Sequence, residues 1–461
     1  IVVLFFNLKL YLSIYLNIKF LESNMLKYFG TDGIRGVVNK ELTCELAYNV
    51  GKSLALFIKK QNKTPIVIIG KDTRISGDML SYAFASGLSD YGVSCYMLGV
   101  VPTGCVSYLS GKLDVGAGVM VTASHNIPSM NGIKLITNLG YKFSINEEKQ
   151  IESYIVKNVP QPKYKGKIMN GEHLVENYIN FIINELGTNL NNVNIAIDCA
   201  YGSNYKIAEH VFKKLGANLV LINNDNFGDK INVNCGALNV NKLIKEVKLH
   251  KCDFGFAFDG DADRLIVVLG DGRVLSGDEI LFVIASYMLK FNKLNSRAVV
   301  GTIMTNSGTE QSLNKLGIRL IRTDVGDRNV IERMLKSNYS LGGESSGHIC
   351  VHGLNTTCDA LMNCLYLLKI VLTQNVDLND FLLHLNKVPQ IIKNVPVSKQ
   401  VRSGFDNDIK LKNNINKITS KSSARVVVRP SGTESVIRIM AEGDQIECVN
   451  VIEKIEELLT K

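Results

Sequence analysis

Three stretches of the chain share one order of apolar and polar positions. Each begins with a short β-branched run, continues through a turn rich in Gly, Asp or Ser into an amphipathic helix, and ends in a second short strand. The predicted strand, helix and strand bounds are 64–70, 78–91 and 93–99; 192–198, 205–215 and 217–223; and 297–303, 309–316 and 318–323. The three stretches share the order of predicted secondary structure but not the amino-acid sequence. β-α-β units of this kind predict parallel or mixed sheets covered by helices.

Polar, turn-rich segments divide the chain. Residues 159–168 and 387–400 have the composition of linkers, and a further boundary is expected just after an acidic loop at 259–264. The segment after the second linker predicts a smaller α+β unit that ends in a C-terminal helix. At 461 residues the chain is too long for one compact core, so several domains are expected.

Residues 1–24 are apolar but are interrupted by Asn and Lys. No run reaches the roughly 20 uninterrupted apolar residues that a membrane-spanning helix needs. Met25 stands directly before a strand-like start. We therefore predict that residues 1–24 are a non-native or disordered N-terminal extension, with an amphipathic anchor as the alternative.

Composition narrows the class of protein. Hydrophobic residues make up 46% and charged residues 21%, which is typical of a globular α/β protein. The ten cysteines include no C-x-x-C pair, which favours buried thiols in a reducing cytoplasm over a zinc site. The net charge of +9 is scattered without a basic stripe, so nucleic acid is not expected as a partner, whereas an anionic substrate is. No membrane partner is predicted.

One candidate for chemistry is Ser124, in a Thr-Ala-Ser-His-Asn loop after a smooth apolar strand. A serine in such a loop is most often only a turn residue. His125 is its neighbour in the chain, and neighbours in an extended chain point to opposite sides, so His125 is poorly placed to deprotonate it. A serine that arrives phosphorylated needs no such activation.

A second candidate is the acidic loop with Asp259, Asp261 and Asp263 at spacing two. In an extended loop that spacing sends three carboxylates to one side, where they repel one another unless a hard cation lies between them. Mg²⁺ suits oxygen ligands and leaves positions for phosphate. A calcium loop is excluded because Gly and Glu are missing at its sixth and twelfth positions, and an acidic turn without metal is the alternative.

Two further loops suit an anionic sugar. In the segment 429–435, hydroxyls and backbone N–H groups combine with an arginine fork into an anion nest, to which Arg438 could add a contact. In the segment 341–348, Glu344, Ser346 and His348 alternate along one side of a Gly-hinged loop, a pattern suited to sugar hydroxyls. Each segment alone is also compatible with an ordinary polar loop.

Together these motifs resemble the α-D-phosphohexomutase superfamily. The matching segments, in order, are FGTDGIRG (29–36), GKDTRISG (70–77), TASHN with NGIK (122–126 and 131–134), DGDADR (259–264), VGDR (325–328), GGESSGH (342–348) and RPSGTES (429–435). The resemblance extends from Met25 to Lys461. Departures from the family pattern occur at Ile127, Met130, Ser345 and Ser435, and none removes a candidate ligand.

The resemblance implies an α/β fold of four domains around a central cleft. Three related α/β domains with mixed sheets would be followed by a smaller C-terminal α+β domain. The implied bounds are 25–166 for domain 1 with the phosphoserine loop, 167–270 for domain 2 with the metal loop, 271–386 for domain 3 with the sugar loop, and 387–461 for domain 4 with the phosphate loop.

The resemblance also implies roles for individual residues. Ser124 would carry a phosphoryl group, and this phosphate would join Asp259, Asp261 and Asp263 in binding one Mg²⁺. The remaining assignments are phosphate binding by Arg429, Ser431, Gly432, Thr433 and Arg438; sugar binding by Glu344 and Ser346; proton transfer or charge neutralisation by Arg35, Lys134 and His348; and phosphoryl contact by Arg264.

The implied function is that of a cytoplasmic enzyme acting on a small sugar phosphate. We expect it to interconvert glucosamine 6-phosphate and glucosamine 1-phosphate through glucosamine 1,6-bisphosphate, in amino-sugar and cell-wall precursor synthesis. A homodimer is left open. The alternatives are a phosphomannomutase or phosphoglucomutase of the same superfamily, a magnesium-dependent sugar-phosphate phosphatase, and a sugar-phosphate-binding protein without activity.

Overall fold

A computed structural model describes residues 26–374, 378–431 and 435–460. The predicted extension 1–24 lies outside these residues, as do two members of the predicted phosphate loop, Gly432 and Thr433. Within the described ranges, no helix combines the length and apolar character needed to cross a bilayer.

Domain 1 is built on a six-stranded mixed sheet in the order β1-β5-β4-β2-β3-β6. Its strands are β1 (Ile34–Val37), β2 (Ile66–Lys71), β3 (Ser94–Val100), β4 (Ala117–Val121), β5 (Met130–Thr137) and β6 (Ile168–Asn170). Its helices are α1 (Cys44–Lys60), α2 (Gly77–Asp90), α3 (Thr103–Lys112) and α4 (Ile145–Ile155). Strand β6 pairs with β3, so this sheet continues past the predicted domain limit at residue 166.

Two glycines set the packing of α1 against α2. A Cβ atom on Gly51 would lie 2.1 Å from the carbonyl oxygen of Phe84, and one on Gly87 would lie 2.1 Å from that of Tyr48. Only glycine permits this approach without displacing backbone. The close contact holds both helices on the sheet whose β4 ends at the Ser124 loop.

Domains 2 and 3 repeat the β-α-β arrangement. Domain 2 has a sheet in the order β11-β10-β9-β7-β8 and domain 3 one in the order β13-β12-β14-β15. The domain 2 elements are α5 (Val175–Leu186), β7 (Asn194–Asp198), α6 (Tyr205–Lys214), β8 (Asn218–Ile222), α7 (Asn241–Leu249), β9 (Phe254–Phe258), β10 (Leu265–Leu269) and β11 (Val274–Leu275). The domain 3 elements are α8 (Gly277–Lys290), β12 (Ala298–Thr302), α9 (Ser307–Lys315), β13 (Arg319–Thr323), α10 (Asp327–Ser337), β14 (Leu341–Gly343), β15 (Ile349–Val351), α11 (Ala360–Gln374) and α12 (Leu378–Leu382).

The three predicted β-α-β units are confirmed. Their strands pair in parallel as β2 with β3, β7 with β8, and β12 with β13. Antiparallel pairs such as β4 with β5 and β9 with β10 make the sheets mixed. All ten cysteines are free thiols, and all except Cys44 are buried, as expected for small apolar residues.

Domain 4 is a three-stranded antiparallel sheet in the order β16-β18-β17 with helices. Its elements are β16 (Gln390–Pro396), α13 (Lys399–Gly404), α14 (Ile409–Thr419), β17 (Arg425–Pro430), β18 (Val436–Glu442) and α15 (Gln445–Thr460). The prediction of a linker over 387–400 is wrong, because β16 lies within that segment and pairs with β18. As an edge strand, β16 keeps a partly exposed, polar composition that resembles a linker.

One hydrophobic cluster runs through domains 1, 2 and 3, each of which also has a separate cluster, and domain 4 has its own. An arginine connects the last domain to the third: Arg425 donates hydrogen bonds to the carbonyl oxygens of Ile303 and Thr305 and pairs with Glu442. The four-domain α/β fold expected from the sequence is therefore confirmed.

A buried ion pair joins domain 1 to domain 3. Both oxygens of Glu148, on α4, accept hydrogen bonds from the guanidinium of Arg328, on α10, over 2.6 and 2.9 Å. Burial raises the pKa of Glu148 above its usual range despite the nearby Arg328, so the pair itself is a weak net source of stability.

We expect Glu148→Ala to lower the free energy of unfolding by about 3–5 kcal/mol, because it leaves the Arg328 charge buried without its partner. The double variant Glu148→Leu with Arg328→Leu should recover most of this loss. Thermal unfolding of the wild type and both variants is the measurement. A single variant as stable as the wild type would contradict the expectation.

Candidate active site

Ser124 lies in a buried turn directly after β4. Its backbone is left-handed, with φ near 50°, which residues other than Gly, Asn and Asp seldom adopt. Its N–H donates to Thr122 Oγ1 over 2.8 Å, and its hydroxyl donates to Asp259 Oδ2 over 2.7 Å. The turn thus directs the serine hydroxyl of domain 1 at the acidic loop of domain 2.

His125 is close to Ser124 but is not a base for it. The sequence interpretation took this loop to be extended, and the left-handed turn corrects that premise. His125 Nδ1 lies 3.4 Å from Ser124 Oγ and 2.8 Å from Arg264 Nη2, so the arginine occupies the nitrogen lone pair. Burial, followed by the charge of Arg264, lowers the pKa of His125 to about 2. The imidazole is therefore neutral and already engaged.

The three aspartates converge in a turn between β9 and β10. The prediction of an extended loop is wrong here, because Ala262 is left-handed and the N–H groups of Asp263 and Arg264 both donate to Asp259 Oδ1 over 3.1 Å. Each aspartate offers one oxygen, and these oxygens lie within 4.8 Å of one another. All three residues are at most 2% exposed.

This arrangement fits a cation. Burial, and then the charges of Asp263 and Asp261, raise the pKa of Asp259 to about 7. Within the described part of the chain, Asp261 Oδ1 is buried and has no hydrogen-bond partner. A bound cation would relieve the repulsion and complete the coordination of that oxygen. The triad could therefore hold a metal ion.

Lysines surround the triad on the domain 1 side. Lys134 Nζ lies 2.7 Å from Asp261 Oδ2, 3.0 Å from Asp263 Oδ2 and 3.1 Å from Asp32 Oδ2. Burial opposes its charge, but these carboxylates outweigh it and hold the pKa of Lys134 well above its usual range. Lys142 continues the network from Asp32 to Asp327 of domain 3, over 2.5 and 2.6 Å.

Arg35 joins this network from β1. Its guanidinium pairs with Asp32 and donates to Asn126 Oδ1 over 3.2 Å. It thereby lies between the serine loop and the cleft.

His348 connects the acidic loop with the predicted sugar loop. Its Nε2 lies 2.9 Å from Asp263 Oδ1, and its Nδ1 lies 2.9 Å from Glu344 Oε2. Burial opposes the charged form, but Asp263 in particular raises the pKa of His348 to about 10. Glu344 also accepts from the N–H of Gly326, and Ser346 Oγ lies 3.4 Å from His348 Nδ1. The predicted sugar-loop residues thus lie side by side.

A cavity of about 430 Å³ opens above these groups, here called the central cleft. All four domains line it, including Arg35 of domain 1, Arg264 of domain 2, Glu344 and Ser346 of domain 3, and Arg429, Ser431 and Arg438 of domain 4. Burial, and then the charge of Arg438, lower the pKa of Arg429 from its ordinary value. Two neighbouring cations on this wall favour an anionic ligand.

The structure brings the described candidate residues together. The Ser124 hydroxyl and the triad are in contact beside the cleft, and Lys134 lies among the same acids. Asp32, Arg74 and Asp327 lie within recognised motifs, but the sequence predicted no role for them. Sequence reasoning missed Lys142 and Asn232, which stand outside the recognised motifs and reach the site only through the tertiary fold.

Known protein families match this chain between residues 26 and 455. Four family descriptions match it in succession. They are phosphoglucomutase/phosphomannomutase alpha/beta/alpha domain I at residues 26–161, domain II at 176–272, domain III at 276–388, and the C-terminal domain at 384–455.

Two curated relatives carry the same name. The phosphoglucosamine mutase of Clostridium acetobutylicum is 40% identical over 93% of this chain and 97% of its own. That of Natranaerobius thermophilus is 39% identical over 93% of this chain and 97% of its own.

Solved structures share the fold at low identity. A phosphoglucomutase/phosphomannomutase family protein from Burkholderia thailandensis has a TM-score of 0.78 at 22% identity, covering 94% of this chain and 97% of its own. The Aspergillus fumigatus N-acetylphosphoglucosamine mutase, solved with GlcNAc-6P and magnesium, has a TM-score of 0.66 at 17% identity, covering 94% and 95%.

The four-domain fold, the serine beside an acidic triad and the named relatives define an isomerase that transfers a phosphoryl group within a phosphohexose. The chain belongs to the phosphoglucomutase/phosphomannomutase family of the α-D-phosphohexomutase superfamily. Its curated relatives within that family are phosphoglucosamine mutases.

Proposed function

We propose that this enzyme interconverts glucosamine 6-phosphate and glucosamine 1-phosphate, with Ser124 as the phosphoryl carrier. The observation that carries the proposal is the 2.7 Å contact between Ser124 Oγ and Asp259, at a triad that adjoins a cleft lined by all four domains. The identity of about 40% to phosphoglucosamine mutases supports the choice of sugar.

In the proposed reaction, phosphorylated Ser124 donates its phosphoryl group to the 1-hydroxyl of glucosamine 6-phosphate. The P–Oγ bond breaks as a new P–O bond forms, the sugar hydroxyl loses a proton, and Ser124 Oγ gains one. The product, glucosamine 1,6-bisphosphate, turns over in the cleft. Its 6-phosphoryl group then passes to Ser124 in the reverse sense, which releases glucosamine 1-phosphate and restores the phosphoserine.

The triad and the phosphate on Ser124 would hold one Mg²⁺. When bound, Mg²⁺ supplies positive charge to the transferring phosphoryl group. Lys134 contributes charge from the domain 1 side, and Arg264 does so from domain 2. Arg35, Lys134 and His348 remain the candidates for proton transfer or charge neutralisation. Although burial opposes their charge, neighbouring carboxylates raise the pKa of all three, so as protonated groups they could give a proton to Ser124 Oγ or neutralise phosphoryl charge.

Substrate binding is divided between domains 3 and 4. Glu344, fixed by the N–H of Gly326, and Ser346 would bind the sugar hydroxyls. Arg429 and Arg438 would bind the phosphate that is not reacting, together with Ser431. Gly432 and Thr433 follow Ser431 in the sequence and keep the phosphate-binding role predicted from the sequence. Either phosphate of the bisphosphate would bind to Arg429 and Arg438 while the other faces Ser124, as the proposed reaction requires. The location of the enzyme in the cytoplasm and its assembly as a homodimer stay predictions.

The test of substrate choice compares kcat/KM on glucosamine, mannose and glucose 6-phosphates. We expect glucosamine 6-phosphate to be preferred at least about tenfold, because a site that hydrogen-bonds a substrate group rejects analogues that lack it. Equal or better turnover of either other sugar would contradict the proposed specificity.

The same assay separates a mutase from a phosphatase. A mutase conserves phosphate, so the 1-phosphate should appear without inorganic phosphate. Release of one inorganic phosphate per substrate would instead identify a sugar-phosphate phosphatase.

A further inference from the structure

Arg74 lies behind the Ser124 loop and is only 1% exposed. It is held from one side by Asp72, whose Oδ2 accepts from Arg74 Nε over 3.0 Å and from Thr122 Oγ1 over 2.6 Å. Thr122 Oγ1 in turn accepts the N–H of Ser124. Arg74 and the serine backbone are therefore parts of one buried hydrogen-bond network.

The other side of the guanidinium gathers the carbonyl oxygens of the loop. Nη2 donates to Ser124 over 3.0 Å and to Asn126 over 2.7 Å, while Nη1 donates to Met130 over 2.8 Å and to Ile127 over 2.5 Å. A guanidinium has five donors in a fixed planar fork and can hold four carbonyl groups and a carboxylate at once, whereas a lysine has only three donors.

A residue of domain 2 also donates hydrogen bonds to the carbonyl groups of Ser124 and Asn126. Asn232 Nδ2 donates to the carbonyl oxygen of Ser124 over 2.8 Å and to that of Asn126 over 3.1 Å. The carbonyl of Ser124 is thus held by a buried cation from its own domain and by an amide from the next.

This grip determines where the following N–H group points. In a trans peptide the C=O and N–H bonds are antiparallel, and the structure contains no cis peptide among the described residues. With the Ser124 carbonyl drawn toward Arg74, the N–H of His125 points the opposite way. It donates to no group among the described residues.

We propose that Arg74 and Asn232 are positioning residues that turn the His125 N–H toward the phosphoryl group carried by Ser124. The His125 N–H follows Ser124 directly in the chain, so a phosphoryl group on the Ser124 side chain would supply the acceptor that this N–H lacks among the described residues. The grip also holds Ser124 in a backbone conformation that is costly without support. The inference rests on the proposed function, because it assigns a ligand to the phosphoserine.

Kinetics of Arg74→Lys and Asn232→Ala test the inference. We expect kcat to fall roughly 10- to 100-fold in Arg74→Lys and less in Asn232→Ala, with KM nearly unchanged, because a small misplacement of the reacting group lowers turnover without loss of substrate contacts. Lys52→Gln is the matched control: Lys52 is a buried cation of domain 1 that also donates to main-chain carbonyl groups, those of Ile155 and Lys157, away from this loop. Lys52→Gln should have a lower free energy of unfolding than the wild type but the same kcat.

A spectroscopic measurement detects the N–H itself. In protein labelled with [¹⁵N]histidine, seven histidine amides are visible, and that of His125 is assigned by its absence in His125→Gln. Its proton should move downfield when Ser124 is phosphorylated in wild-type protein and in Lys52→Gln, but not in Arg74→Lys. If Arg74→Lys does not fold, Asn232→Ala carries the same test.

Two results would overturn the inference. One is wild-type kcat in folded Arg74→Lys or Asn232→Ala, and the other is a His125 amide that does not respond to phosphorylation. Wild-type protein that never carries phosphate on Ser124 would instead refute the proposed function, and the role of this amide with it.

Discussion

Ser124→Gly is expected to lower mutase turnover by at least about 10⁴-fold while leaving the fold intact. The loss follows from removal of the only atom that can carry the phosphoryl group in the proposed reaction. Glycine is a better test than alanine because φ at this position is near 50°, which glycine adopts without penalty. Glycine relieves the steric strain of the left-handed backbone, and this relief should offset the lost hydrogen bond to Asp259. The free energy of unfolding should therefore change by no more than about 1 kcal/mol.

Intact-mass measurement gives the second readout. Wild-type protein should carry the mass of one phosphoryl group, and Ser124→Gly should not. Ser129→Ala is the matched control, because Ser129 is an exposed serine of the same loop and should keep both the phosphate and the activity. Normal turnover in Ser124→Gly would exclude the serine as the carrier.

The elements of the fold were predictable where burial imposes a period on the sequence. The strand at 66–71 is buried on both faces and reads as a continuous β-branched run, whereas the helix at 77–90 buries one face, so its apolar positions recur at helical spacing. The strand at 390–396 was not predicted, because it lies at a sheet edge and burial imposes no clear pattern on it. Ile392 is exposed, and polar residues stand near it in the sequence.

The acidic triad was predictable as a cluster but not as a geometry. Three carboxylates at spacing two indicate a cation by charge alone, whatever the backbone does. The turn that brings them together depends on the left-handed backbone of Ala262 and on two N–H groups that donate to Asp259. Neither feature can be recognised from the sequence.

The conformation of Ser124 could not be predicted from its neighbours. Its carbonyl is held by Arg74 and Asn232, which lie 50 and 108 residues away in the chain. A left-handed serine is disfavoured by local sterics, and these distant donors help to stabilise it. Sequence reasoning that treats the loop as extended therefore proposes this serine but predicts the wrong backbone conformation for it.

Removal of the Asp259 charge should raise the free energy of unfolding relative to the wild type without Mg²⁺ and leave it below that of the wild type with Mg²⁺. In a chelator, Asp259→Asn should be more stable than the wild type at pH 8, by roughly 1–4 kcal/mol, because it removes a charge that burial and two other carboxylates oppose. The sign follows from the pKa of Asp259, which rises from 3.8 to about 7 on folding. Between these values the folded protein binds more protons than the unfolded chain, so wild-type stability falls as the pH rises.

Saturating Mg²⁺ should reverse this order. It should stabilise the wild type by about 4.1 kcal/mol at a thousandfold excess over Kd, and it should have little effect on Asp259→Asn, whose turnover falls on the order of 10²–10³-fold. Asp271→Asn is the control, because Asp271 is an exposed acid of the same domain, paired with Arg273. Thermal unfolding and titration calorimetry with Mg²⁺ are the measurements. Equal stabilisation of Asp259→Asn and wild type would place the metal elsewhere, since only a cation that lies among these carboxylates can turn their repulsion into affinity.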